Sequence, residues 1–353
     1  MKPLKVLAHI VLYRSPKIVR RAIQSLLEQQ RFECKFELTI IVSDNASGDG
    51  LIDVLEQQFA GVVRFNRNRA NLGFAAAQNW AAAVMLNENF DYLFLVNPDS
   101  RFENHAVEKL VLALENDSTC GAATPLLYRT QEDLEPVSPK QIDAAGIIMT
   151  RSLRHLDREK FSHNSLSKVE YVFGGTGAAL MLKRSCIESV LLDTPEHNYA
   201  LYSIYPQLKD GAANRAQLFD EAFFAFREDA DLAWRSQLLG WKTVFVPEAV
   251  GYHVRNVLPE RRGQLSPLIN KWSVRNRFLM QVNNFYFKGM MHCVLSGLVV
   301  RNLVVIAGVL LMEWRSLGAI REFFVLLPRA LARRRGISLL NGFEIGRVGE
   351  WFN

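Results

Sequence analysis

Apolar residues along the first third of the chain fall into two alternating patterns. Short runs such as "KVLAHIVLY" and "ELTIIVSDN" read as strands, and each ends in polar residues. Between them lie helical repeats. In "SPKIVRRAIQSLLEQQ" the residues Ile18, Val19, Ala22, Ile23, Leu26 and Leu27 recur at three and four, with Ser15 expected as N-cap and Pro16 as first helical residue. "LIDVLEQQF" and "VVRFNRN" give a helix and a short strand, and "NLGFAAAQNWAAAVMLN" an Ala-rich helix. "DYLFLVNPDS", "AVEKLVLALEND" and "CGAATPLLY" complete the series as strand, helix and strand. This alternation through residue 128 predicts an α/β fold with a mostly parallel sheet flanked by helices. Ligands of such sheets bind beyond the carboxyl ends of the strands, where Asp44-Asn45 and Asn97-Pro98-Asp99 lie.

The pattern loosens over 129–170, which is polar and irregular. "VEYVFGGTGAALMLKRSCIESV" then reads as strand, Gly-rich turn, strand and helix, and 193–217 as a long loop. "EDADLAWRSQLLG" predicts a helix, and "WKTVFVPEAVGYHV" a strand running into His253. These breaks divide the chain into a first unit over 1–265, with halves 1–128 and 129–265, and a helical, apolar and basic region over 266–353.

That last region contains two apolar runs split by Arg301-Asn302. Each is shorter than the ~20 residues of a spanning helix. Joined, they would carry an arginine near the bilayer centre at a cost of roughly 2.5–3.5 kcal/mol. Arg315, Arg321, Arg329, Arg333, Arg334 and Arg335 follow, against Glu322. Two readings stand side by side: an interfacial anchor on anionic lipid, and a helical subdomain packed on the catalytic core. A single spanning helix is a third.

Composition adds bounds. The chain has 353 residues, 49% hydrophobic and 22% charged, enough for a large core. Its net charge of +6 suits phosphate-bearing partners or an anionic membrane surface; nucleic acid is not among the expected partners. Cys34, Cys120, Cys186 and Cys293 are widely spaced, match neither a zinc site nor a disulfide framework, and are expected as reduced thiols. The N-terminal apolar run lacks a small-residue cleavage site and is expected to be a first strand. No Gly-x-Gly-x-x-Gly follows it, so a dinucleotide-dependent oxidoreductase is not expected.

Several polar clusters carry candidate chemistry, each with a plainer alternative. Asp44 ends a strand and could accept from a base N–H, though Asp and Asn are common in turns. Gly73 opens a helix whose N-terminus could receive a phosphate, or simply turns the chain into a core helix. Asp99 could bind a hard divalent cation or cap the next helix. His253 is a candidate metal ligand or a satisfied strand-end histidine. In "FDEAFFAFREDADLAWR", Glu228, Asp229 and Asp231 follow buried-looking aromatics. Asp231 has Arg235 four residues on and reads as a helix-start acid with a partner. Glu228 and Asp229 together fit that explanation poorly, and a carboxylate kept in such a place can act as a general base.

In their order, "DNASGDG", "NLGFAAAQN", "NPDS", "GGTGAALMLKR", "FDEAFFAFREDADLAWR" and "GYHV" resemble the family 2 inverting glycosyltransferases of GT-A fold, especially the rhamnosyltransferase-like branch, over roughly residues 5–255. The resemblance implies a nucleotide-sugar site at Tyr13, Asp44, Asn45, Gly73, Asn79 and Asn97, with Asp44 on the base. It implies Mg2+ or Mn2+ on Asp99 and His253, where Asn97 replaces the first acid of an Asp-x-Asp motif. It implies Asp229 as catalytic base beside Glu228, and an acceptor site at Gly175, Gly177, Ala178 and Asp231. The expected donor is a dTDP- or UDP-sugar, rhamnose among the candidates, and the expected acceptor a lipid-linked saccharide or polysaccharide in cell-surface glycan synthesis. The expected place is cytoplasmic, peripheral at the inner face of the plasma membrane. The alternative is a nucleotide-binding scaffold without catalysis, which Asn97 favours.

Overall fold

A computed structural model describes residues 3–15, 17–131, 134–135, 137–158, 166–192, 198–209, 216–255, 266–345 and 347–352. Its first half follows the alternation closely: β1 (Leu4–Leu12), α1 (Val19–Leu27), β2 (Phe36–Asp44), α2 (Leu51–Gln58), β3 (Arg64–Arg67), α3 (Gly73–Asn87), β4 (Tyr92–Val96), β5 (Ser100–Phe102), α4 (Ala106–Asn116) and β6 (Cys120–Arg129). Strand β5 was not expected, and one boundary differs. Helix α1 starts at Val19 with no side-chain cap: its N-cap residue is Ile18, and the Ser15 hydroxyl accepts the Tyr13 N–H at 3.1 Å instead. Pro16 lies outside the described residues.

The second half adds β7 (Ile142–Ala144), β8 (Ile147–Met149), β9 (His155–Asp157), β10 (Glu170–Val172), β11 (Ala179–Lys183), α5 (Arg184–Val190), α6 (Asn198–Ile204), α7 (Glu228–Leu238) and β12 (Lys242–His253). The irregular reading of 129–170 is therefore corrected: three short strands lie within it and a fourth begins at Glu170. They are too short to show a period. The long loop expected at 193–217 contains helix α6, while 193–197 and 210–215 lie outside the described residues.

One large sheet runs in the order β10-β12-β6-β11-β4-β1-β2-β3. Strands β4, β1, β2 and β3 are mutually parallel. Strand β11 enters antiparallel between β4 and β6. The sheet is thus mixed, because a strand from the second half completes the first. It also brings the Gly-rich turn before β11 alongside the carboxyl end of β4.

The tail consists of α8 (Pro267–Asn284), a single turn α9 (Phe287–Met290), a wide-turned segment Val294–Arg301, α10 (Asn302–Leu311) and α11 (Leu317–Leu339). Helices α8 and α11 bury Leu279, Met280, Leu326 and Ala330 in one apolar cluster with Phe224, Trp234 and Phe352. The packed-subdomain reading holds for them. Phe287–Leu311 behaves differently: its 25 residues are long and apolar enough to cross a membrane, and its most apolar window is only 11% buried.

The arginines of α11 correct the charge argument. Arg329 and Arg333 point inward, both on Asp220, instead of toward lipid. Arg334 donates to the carbonyls of Val282 (3.0 Å) and Phe285 and stacks on Tyr286. Arg315, Arg321 and Arg335 remain exposed.

Candidate active site

Polar side chains gather beyond the carboxyl ends of β1, β2 and β4. Asp44 ends β2, and its carboxylate accepts the N–H and hydroxyl of Ser47. Ser47 in turn accepts the N–H of Arg14 at 3.0 Å, which fixes the β1 end beside Asp44. Tyr13, next to Arg14, is 44% exposed. Asn45 donates to the Gly73 carbonyl at 3.1 Å and accepts from Asn68 at 2.8 Å, tying the loop before α3 to the same corner.

Two of the expected nucleotide-sugar residues are engaged within the fold. Asn79 is buried, donates to the Phe219 carbonyl and to Glu221, both at 3.0 Å, and accepts the Phe219 N–H at 2.8 Å. Its amide is spent within the fold. Gly73 has φ +75°, and a Cβ there would meet the Phe224 carbonyl oxygen at 2.5 Å. That carbonyl accepts the N–H of Ala75 at 3.2 Å, so the start of α3 already has an acceptor. The glycine serves this close approach.

At the end of β4 the chain brings Asn97, Asp99 and His253 together. Strand β5 pairs with β12, with Ser100 opposite His253. His253 Nε2 lies 3.4 Å from Asp99 and 3.3 Å from the Asn97 amide. Its Nδ1 lies 2.8 Å from Asp143. Burial disfavours charge on this ring, but the carboxylates of Asp143 and Asp99 outweigh it and push the imidazole up to about 10. Sequence reasoning missed Asp143, which sits in the stretch read as irregular; a lone acid in "QIDAAG" gave no periodic signal. A carboxylate on the far nitrogen of a histidine is the arrangement that orients metal-ligating rings. Among the described residues no three His, Cys, Asp or Glu side chains converge as a metal cage. Asp99 and His253 fit a hard cation only if substrate phosphates and water complete its shell, as Mg2+ and Mn2+ allow.

The acidic segment stands across a short loop from this pair. The Gly177 N–H donates to Asp229 Oδ2 at 3.0 Å, and the Ala178 carbonyl accepts the Asn97 N–H at 3.0 Å. Consecutive residues thus touch the acid on one side and the "NPD" turn on the other. Asp229 also accepts the Ala230 N–H at 2.7 Å. Burial raises its carboxyl above the usual range against these two donors. Glu228 is 7% exposed; burial and then the Asp229 charge push it up to about 8. Gly175 lies against Leu180 and Thr124, where a Cβ would clash, so it is a packing glycine under the loop.

Asp231 does not reach the cleft. It is buried, 3.4 Å from Arg235 as the four-residue spacing predicts, and accepts from Asn283 (3.0 Å) and Asn284 (2.6 Å) of α8. Its expected contact with an acceptor is corrected to a place in a buried network with Asp220, Arg329 and Arg333.

The turn before Glu228 is strained. Phe224, Phe226 and Arg227 have φ of 63°, 71° and 74° without being glycine. Phe224 is the centre of a γ-turn, with the Ala225 N–H on the Phe223 carbonyl at 2.7 Å. Helix α8 holds it. Asn276 donates to the carbonyls of Phe223, Ala225 and Phe226 at 2.8–2.9 Å. Arg275 donates to those of Ala222 (2.7 Å) and Phe223 (3.1 Å) and is anchored by Glu322 of α11. Phe224 stacks on Tyr205 with ring centres 4.6 Å apart. None of these supports was readable beforehand, since α8 lies some fifty residues downstream, in a tail whose packing on the core was only one of the readings.

A mixed sheet with a polar cleft at the ends of its parallel strands, an acid–histidine pair on one side and a buried acid on the other, defines the GT-A class of nucleotide-sugar-dependent fold. The comparisons agree: residues 8–191 match the family described as Glycosyl transferase family 2, more than half the chain, and the protein belongs to that family. An N-acetylglucosaminyl-diphospho-decaprenol L-rhamnosyltransferase of Mycobacterium tuberculosis (strain H37Rv) is 24% identical over 231 residues, 61% of this chain and 66% of the relative, so the chain spans slightly under two thirds of that relative's length. Among solved structures, GalNAc-T7 with UDP, GalNAc and Mn2+ superposes with a TM-score of 0.55 at 14% identity, over 80% of this chain and 48% of that one. S. aureus TarS 1-349 in complex with UDP-GlcNAc gives a TM-score of 0.53 at 12% identity, over 98% of this chain and 91% of that one. These two likenesses establish the shared fold.

Proposed function

We propose that this protein transfers a sugar from a nucleoside-diphosphate donor to a hydroxyl of a lipid-linked saccharide, with inversion at the anomeric carbon. The observation that carries this reading is the loop Gly177–Ala178, which links Asp229 to the Asn97–Asp99–His253 corner through one hydrogen bond on each side. The mycobacterial relative, by its name, acts on a diphospho-decaprenol-linked sugar, which supports a lipid-linked acceptor and makes rhamnose a candidate donor sugar.

Asp229 takes the proton from the acceptor hydroxyl, and its raised basicity suits that task. The oxygen's electron pair forms the new bond to the anomeric carbon on the face opposite the diphosphate. The old bond from that carbon to the diphosphate oxygen breaks, and the diphosphate departs with the electron pair. Gly177 holds Asp229 through its backbone N–H, so the carboxylate meets the hydroxyl without reorganising. Asp99 and His253 are the residues that would hold Mg2+ or Mn2+, with Asp143 fixing the ring. A bound divalent cation there offsets charge on the leaving diphosphate. Asp44 and Tyr13 are assigned to the nucleotide base.

Asp229→Asn tests the assignment. Transfer from dTDP- and UDP-sugars should fall by at least about a hundredfold, the weight of a general base, while nucleotide affinity measured by calorimetry stays at the parent value. Near-normal turnover in that variant would remove Asp229 from the role. Nucleotide binding without turnover by the parent, across a panel of donors and acceptors and with Mn2+ present, would favour the non-catalytic scaffold.

A further inference from the structure

The hairpin of β8 and β9 carries a feature that catalysis at Asp229 does not use. Its tip, Arg151-Ser152-Leu153-Arg154, is pinned from behind. Arg277 of α8 donates to the carbonyls of Leu153 (3.2 Å) and Ser152 (2.9 Å). Leu153 is fully buried against Gly297, where a Cβ would lie 2.5 Å from the leucine side chain. Ser296 donates to the Arg151 carbonyl at 2.9 Å. The pinning leaves the side chains of Arg151 and Arg154 exposed.

These two arginines belong to a larger cationic group. The next residue, His155, lies 2.8 Å from Arg227 Nη1. Burial and then the charges of Arg227, Arg277 and Arg154 keep that ring neutral, so its Nδ1 accepts. Arg277 is lowered to about 9 by burial and by Arg227, Arg301 and Arg154. The nearby Asp157 is occupied by Arg255. Positive side chains gathered in this way favour a bound anion.

The group is flanked on both sides. Arg227 precedes the Glu228-Asp229 pair, and its charge acts on Asp229. At the far end, the hairpin tip touches the start of the apolar stretch, whose Leu295, Leu303 and Val304 are 70%, 61% and 53% exposed. Contacts therefore run from the turn before Asp229 through Arg227 and His155 to the hairpin tip, and from the tip through Arg277 and Ser296 to Asn302 and the apolar stretch.

We propose that Arg151, Arg154, Arg227 and Arg301 seat the diphosphate of a polyisoprenyl-diphosphate-linked acceptor, with its hydrocarbon along the exposed face of Leu295–Val304. This rests on the lipid-linked acceptor of the proposed function. It adds the contact residues and explains why the hairpin is anchored to both α8 and the apolar stretch.

Farnesyl diphosphate is the probe, titrated into the full chain in detergent, with farnesol and inorganic diphosphate as partial mimics. The double variant Arg151→Gln/Arg154→Gln should weaken farnesyl diphosphate by about tenfold per arginine, the low end for a hydrogen bond to a charged group. Farnesol affinity should not change. Arg321→Gln, an exposed arginine on α11, should bind the probe like the parent. The proposal is overturned if the parent does not bind the probe, if the double variant binds as tightly as the parent, or if Arg321→Gln loses as much. It is also overturned if phosphatidylglycerol vesicles displace the probe as well as unlabelled farnesyl diphosphate does, which would mark a general anionic surface. UDP and dTDP titrations run beside it test the glycosyltransferase reading separately. Nucleotide binding retained with no arginine dependence sinks the diphosphate seat alone; arginine-dependent probe binding with no nucleotide binding sinks the transferase reading alone.

Discussion

Replacing Asn276 by Asp is the sharpest test of how α8 serves the proposed base, Asp229. The substitution keeps the side chain's shape and the acceptor oxygen that Arg275 Nε bonds at 3.0 Å. It removes both N–H donors from the carbonyls of Phe223, Ala225 and Phe226. A buried acceptor left unsatisfied costs about 1–3 kcal/mol. Arg275 still serves Phe223, so the two part-buried carbonyls of Ala225 and Phe226 lose their side-chain donor, at a cost of up to roughly 2–6 kcal/mol. Three non-glycine residues at positive φ store about 1–3 kcal/mol each, which the clamp now restrains. Released, the turn should relax and shift Asp229 away from Gly177. Urea unfolding should show the stability loss, and kcat should fall about a hundredfold with KM for the donor little changed, since misplacement of about 1 Å has that effect. A variant that loses stability but keeps kcat would refute the positioning role. One that loses neither would refute the hydrogen bonds themselves.

Glu228→Gln should stabilise the protein at high pH. The folded state holds the Glu228 carboxyl up to about 8, so it retains a proton that the unfolded chain has released, and native stability falls as pH rises from about 4.5 toward 8. The variant should gain on the order of 4 kcal/mol at pH 8 and nothing at pH 4 in urea midpoints; equal effects at both pH values would contradict the burial argument. Gly73→Ala should destabilise by more than about 2 kcal/mol, combining positive φ with the contact on the Phe224 carbonyl, and a thermal midpoint within a degree or so of the parent would argue against that packing. Asp143→Asn should weaken Mn2+ binding in the presence of UDP by about 10–100-fold, as loss of an orienting partner does; unchanged metal affinity would separate His253 from the metal.

The sequence determined the first half of this protein nearly strand by strand. Parallel strands buried on both faces write themselves as short apolar runs, and their helices as three-four repeats, so β1 to β4 and β6 fall within a few residues of their expected positions, while the three-residue β5 was not expected. The acids and the histidine were legible as candidates for the same reason: they interrupt those runs at strand ends. Pairing was not legible. The insertion of β11 between β4 and β6, the partnership of Asp143 with His253, and the clamp of α8 on the Phe224 turn all join residues far apart in the chain.

The same limit explains the corrections. Asp231, Asn79, Arg329 and Arg333 have side chains suited to ligands or lipid, and residue type alone gives them that meaning. Only the tertiary structure decides that each faces an internal partner, because a buried charge or amide must be satisfied wherever the fold encloses it. The acids of "FREDAD" were visible in one dimension. Which of them faces the cleft was set by a strained turn, and that turn is held by helices that the linear pattern had assigned to a tail.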